Sequence, residues 1–137
     1  MKYRTLSTQN EFYLPKEEYL TVIHYSLCYP EWVAEINALR DTRGAIRYDK
    51  DKVQTSNDYD STSETALRTL RIVDKVETID TIIDEVTKGY GLSDWLRLGV
   101  CYGKTVFELI NKGMPCGKKL YLKLRQKYYY MLSQQIH

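Results

Sequence analysis

The chain has 137 residues, of which 43% are hydrophobic and 28% charged, a balance that fits one folded domain with a core and excludes a disordered chain. Its net charge of +2 hides a polarity: residues 1 to 102 carry 13 Lys or Arg against 17 Asp or Glu, and residues 103 to 137 carry 7 against 1. Positive potential gathered at one end orients a molecule toward a polyanion, although a merely solvated basic helix is the plainer reading of charge alone. No stretch approaches the roughly 18 to 20 consecutive apolar residues that span a bilayer, so no membrane partner is expected.

Three widely spaced cysteines, Cys28, Cys101 and Cys116, form no CxxC, and no apolar leader opens the chain. That usage predicts a reduced, cytoplasmic setting.

Taken in order, residues 1 to 13 read as a loose polar arm. Pro15 suits the first turn of a helix whose apolar stripe is Tyr19, Leu20, Ile23, Leu27 and Cys28, and Glu17 and Glu18 suit its positive end. Pro30 ends it and sets a corner into a second helix over 31–40, with Trp32, Val33, Ile36 and Leu39 inward. From 41 to 60 the period vanishes, which reads as a flexible linker with a brief extended piece at Ala45 to Tyr48. Ser61-Thr-Ser-Glu64 fits a capping box opening the longest helix. Its stripe runs Ala66, Leu67, Leu70, Val73, Val76, Ile79 or Asp80, Ile83 and Val86, and Gly89 closes it. Leu92-Ser93-Asp94-Trp95 starts a short helix carrying Trp95, Leu96, Leu98 and Val100 to a break at Gly103, and Thr105 to Asn111 forms another with Val106, Leu109 and Ile110 inward.

The expected fold is therefore all-α, with five to six helices, a long central helix and a C-terminal helix-turn-helix. Its organisation reads as an N-terminal arm and helical elbow over 1–40, the linker over 41–60, and 61–137 packing with 14–40 as one compact domain.

The last quarter, Gly113 to Ile136, carries the functional expectation. A Gly and Pro turn leads into a basic helix in which Leu120, Tyr121, Leu124, Tyr128, Met131 and Leu132 share one arc at about 100° per residue. Lys118, Leu122, Arg125 and Tyr129 centre the other arc, with Lys119, Lys123 and Gln126 beside them. Lysines there suit phosphates, Arg125 and Gln126 suit bidentate contacts with base edges, and Tyr129 supplies aromatic support. The nucleic-acid-binding set expected is thus Lys118, Lys119, Lys123, Arg125, Gln126 and Tyr129.

Other chemistries find little support. His24 and Cys28 lie four apart, but a zinc site needs about four ligands and core packing is the favoured reading. Asp80 and Asp84 lie one turn apart with no third carboxylate in the pattern, which favours a solvated face over a divalent cation. Cys116 reads as a small apolar plug, although the adjacent lysines would lower its pKa. Gly103-Lys104-Thr105 copies only the tail of a phosphate loop, so neither an enzyme nor a cofactor is expected.

LPKEEYLTVIHYSLCYPEWV at 14 to 33 and GMPCGKKLYLKLRQKYYYMLS at 113 to 133 resemble small proteins encoded by phages and prophage-like elements of Gram-positive bacteria. These are described as sigma-factor-like or as relatives of the RinA and ArpU late-gene regulators. The resemblance covers about 41 residues. It implies a helix-turn-helix like sigma-factor region 4 and a role in mobile-element transcription. The chain departs from the family pattern in having Lys118-Lys119 and Leu124-Arg125-Gln126-Lys127 where arginines are richer. The partners expected are double-stranded DNA, with RNA polymerase or a second copy of the chain adding affinity. The alternative is a protein-interaction module using the same basic, tyrosine-rich helix.

Overall fold

The computed structural model describes residues 10–49 and 56–136, with side chains for 10–39 and 64–136. Among the described residues all regular structure is α-helical: α1 (Lys16–Leu27), α2 (Tyr29–Asp49), α3 (Ser56–Val86), α4 (Ser93–Val100), α5 (Val106–Asn111) and α6 (Lys118–Ile136). The all-α expectation holds, and no described helix is long and apolar enough to cross a membrane.

Two compact units divide the chain, one formed by Met1–Tyr29 with Thr78–His137 and the other by Pro30–Glu77. The expectation of one domain joining 14–40 to 61–137 placed that division elsewhere. In the first unit α6 packs on α1, α4 and α5, and α4 also touches α1 and α5. Val22, Ile79, Ile83, Leu96, Val100, Cys101, Leu109, Tyr121, Tyr128 and Leu132 are among its fully buried side chains. In the second unit Ile36 and Ile72 are buried, Lys75 lies 5.2 Å from the centroid of a Trp32 ring, and Arg68 pairs with Glu35 at 2.9 Å.

Several expected boundaries move. Helix covers 41–49 and 56–60, where a linker was expected, and it also covers the proposed extended piece at Ala45 to Tyr48; residues 50–55 lie outside those described. Ser61 consequently sits inside α3 and opens nothing. Each residue added to an existing helix closes one more backbone hydrogen bond, while the intrinsic penalty for Ser, Thr or Asp is only about half a kcal/mol. Of the expected loose arm, residues 1–9 lie outside the described set. Residues 10–14 are tied down: the Asn10 side-chain carbonyl accepts from the Phe12 N–H at 2.8 Å, Phe12 packs on Tyr130, and Leu14 is buried.

The buried stripe of α1 is Val22, Ile23 and Ser26, rotated from the expected Leu20, Ile23 and Leu27. Ser26 earns its interior place by hydrogen bonding. Its hydroxyl donates to the Val22 carbonyl at 2.9 Å and accepts from the Tyr128 hydroxyl at 2.7 Å, so no polar group there is left bare. Leu67 and Leu70, expected inward on α3, are exposed, as is Ile110 on α5.

Candidate nucleic-acid interface

The approach to α6 is set by two backbone devices. Gly103 adopts φ 71°, a left-handed conformation that ends the α4 segment, and the Lys104 N–H donates to the Leu98 carbonyl at 3.1 Å. Thr105 then caps α5 in a capping box, its hydroxyl accepting from the Glu108 N–H at 3.2 Å while the Glu108 carboxylate accepts from the Thr105 N–H at 3.3 Å. At the far end Gly113, at φ 99°, turns the chain out of α5, and Met114 plugs the turn from inside. Gly117 precedes α6 and its carbonyl accepts the Tyr121 N–H at 3.2 Å.

From that start α6 buries Tyr121, Leu124, Tyr128, Tyr129, Leu132 and Ser133. The buried arc is wider on one side than the apolar pattern implied, and this reorders the expected site. Lys118, Lys119 and Lys123 are exposed as expected, whereas Arg125 and Gln126 are half-buried. Tyr129 is only 7% exposed and packs edge-on against Tyr19 at 5.7 Å, so it cannot buttress a contact from outside. Burial raises its hydroxyl pKa, and the nearby Arg125 charge opposes the rise. The same cation opposes the burial-driven rise at Tyr121.

The exposed edge instead runs Lys119, Lys123, Lys127. Sequence reasoning missed Lys127, although its spacing of four from Lys123 was the available signal. At 1.5 Å rise and about 100° per residue, the three backbone positions recur about every 6 Å along a ridge that drifts about 40° around the helix at each step. No carboxylate lies within ion-pair distance of them or of Lys118 among the described residues, whereas Arg68, Arg97 and Lys104 each have one. The first turn of α6 has no acidic residue, so its two lysines oppose the positive helix end. Lys118 rests its ammonium 5.0 Å from the centroid of the exposed Phe107 ring. Beside the ladder, Lys123 and Gln126 border an open cleft of about 480 Å³ with Asn10, Glu11 and Phe12.

The remaining sequence candidates resolve differently. Asp80 is engaged by protein partners: the Tyr29 hydroxyl donates to it at 2.8 Å and Arg97 at 3.0 Å, while Arg97 also pairs with Asp94 at 3.0 Å. The expectation of a solvated face fails at Asp80 and holds for Asp84, which is exposed. His24 is exposed and Cys28 half-buried, so His24 is not the core residue expected, and His137 lies outside the described residues. Cys116 is half-buried, and desolvation pushes its thiol pKa up despite an opposing hydrogen bond from the Tyr121 backbone. The expected lysine effect on Cys116 is overridden. The Tyr128-Tyr129-Tyr130 ridge that a protein-docking reading would use is mostly interior, with only Tyr130 partly open.

Comparison with known proteins gives no matching family model, no matching curated protein and no matching solved structure.

Proposed function

We propose that the chain is a DNA-binding protein that lays the Lys119, Lys123 and Lys127 edge of α6 against a duplex, with Lys118 at the start of the helix adding a fourth cation. The observation that carries this reading is the lysine ladder, unpaired among the described residues, on a helix whose opposite face is buried. Like charges four residues apart destabilise a helix by about 0.2–0.5 kcal/mol per pair. A line of phosphates converts that repulsion into attraction and releases counterions. Short α5, the turn at 112–117 and long α6 follow one another in helix-turn-helix order, with α4 packed on both helices. Gln126, beside the ladder, is the candidate for reading an adenine edge.

The resemblance described above extends this reading to transcription control in a phage or other mobile element, with RNA polymerase or a second copy adding affinity. Fluorescence anisotropy of the protein with duplex DNA across a salt series tests the binding step. Three to four phosphate contacts give a log-log slope of about −3 to −4. A flat salt response, or no binding at low salt, removes the proposal.

A further inference from the structure

A row of lysines accounts for phosphates and for nothing else, yet its middle member, Lys123, is also a wall of the cleft it shares with Gln126, Asn10, Glu11 and Phe12. At about 480 Å³ the cleft falls in the range of about 300–1,000 Å³ that small-ligand sites occupy. All five residues belong to the unit formed by Met1–Tyr29 and Thr78–His137. The wall made by residues 10–12 is held in place before any ligand arrives. The Asn10 side-chain carbonyl accepts from the Phe12 N–H at 2.8 Å, and its backbone carbonyl accepts from the Tyr13 N–H at 3.1 Å. The Phe12 ring packs on Tyr130 with centroids 5.7 Å apart, and Leu14 is buried two residues on. A wall fixed in this way gives up little freedom when a ligand enters.

The lining combines an aromatic ring, two carboxamides, a carboxylate and an ammonium. A phosphate suits the ammonium and is repelled by Glu11. A nucleobase suits the whole set: its face stacks on the ring, its donors meet the carboxylate, its remaining polar groups meet the carboxamides, and the ammonium holds the adjoining phosphate. The two oxygens of a carboxylate match guanine best, because guanine N1–H and N2–H donate side by side, whereas thymine offers one N–H between two carbonyls. In a paired duplex the guanine N1–H is engaged by cytosine. The geometry points to a site for one unpaired guanine of the DNA that α6 binds, its base against Phe12, its pairing edge toward Glu11 and Gln126, and its phosphate at Lys123. The inference rests on the DNA-binding reading and gives it a preferred substrate, a duplex from which one guanine is already unpaired, so that no unstacking has to be supplied by the protein.

Fluorescence anisotropy of the full chain tests it with four duplexes of otherwise identical sequence, each followed across a salt series: fully paired, bulged by one guanine, bulged by one thymine, and bulged by one abasic residue. The abasic bulge carries the added flexibility without the base. The bulged-guanine duplex is expected to bind about tenfold more tightly than the abasic or paired ones, with thymine between. Phe12→Leu is expected to bring the bulged-guanine duplex down to the abasic one, and Glu11→Gln to erase the advantage of guanine over thymine. Circular dichroism checks folding, and the exposed Glu11 keeps the test open if Phe12→Leu misfolds. Free dGMP, which lacks the phosphates that meet the ladder, is expected to compete only at far higher concentration; competition at the concentration of the bulged duplex itself overturns the assignment to DNA. Equal binding of all four duplexes with a steep salt slope overturns this inference alone, as does a guanine preference that survives both substitutions. No binding of any duplex at low salt removes the DNA-binding reading and this inference with it.

Discussion

Two buried tyrosines of α6 show how a hydroxyl's partners decide its worth. Tyr128 is fully buried and hydrogen-bonded to Ser26, whereas the Tyr121 hydroxyl is equally buried with no partner among the described residues. Tyr128→Phe should therefore cost about 1 kcal/mol, the net value of a typical internal hydrogen bond. Tyr121→Phe removes a hydroxyl that has lost its water without compensation, and should be neutral or stabilising by about 1 kcal/mol. Chemical denaturation of the two variants checks the contrast in sign; equal losses would contradict the assignment of partners. Gly99 belongs to the same corner, because a Cβ there would overlap the Tyr121 hydroxyl. Gly99→Ala should cost about 1–3 kcal/mol as overpacking, with part recovered when combined with Tyr121→Phe. Helical spacing put Tyr128 inward, where it lies, and Tyr129 outward, where it does not. That choice depends on Ser26 and Tyr19, which sit more than a hundred residues away in sequence.

Among the elements, α5 is the most exposed to a single change. It has six residues, and its opening rests on the reciprocal Thr105 and Glu108 bonds. Thr105→Ala should lower stability by about 1 kcal/mol and speed amide exchange within α5 ahead of α6. Exchange that stays uniform across both helices would show that the cap does not control α5. Ser61-Thr-Ser-Glu64 and Thr105-Val-Phe-Glu108 carry the same four-residue signature, yet only the second begins a helix. The difference lies upstream, where Gly103 at φ 71° breaks the preceding segment. At Ser61 the chain is already helical, α3 having begun at Ser56. Helix identity was readable from periodicity over α1, α4, α5 and α6, where apolar residues repeat cleanly. The face of each helix was less readable. On α1 and α6 a buried serine and a buried tyrosine widened the interior arc beyond the strictly apolar residues.

At the scale of the molecule, the interior holds an unusual density of groups that must stay protonated. Burial pushes Cys101 up from 9.0 to about 12 and Tyr121 from 10.0 to about 12, and it also raises Tyr29, Tyr128 and Tyr129. The unfolded chain releases these protons first as pH rises. The associated stability is present in full below about pH 9 and is lost as pH climbs through 9–12, at about 1.4 kcal/mol per pH unit for each group titrating only when unfolded. Thermal melts should show a midpoint that is flat near neutrality and falls steeply above pH 9. A midpoint insensitive to alkali would mean these side chains are not buried as described.

The basic end of the chain was legible as a charge imbalance, and three of its lysines were correctly placed outside. The composition of the exposed edge was not, because Lys127 belongs to it and Tyr129 does not. The salt dependence of DNA affinity for Lys119→Ala/Lys123→Ala/Lys127→Ala, measured beside wild type and Tyr129→Phe, tests the central claim most directly. The account predicts that the lysine variant loses about three units of log-log slope together with most of its affinity at low salt. Tyr129→Phe, altering an interior hydroxyl, should keep both the slope and the affinity. A lysine variant that binds DNA with the wild-type slope would contradict the assignment of this edge of α6 as the nucleic-acid interface.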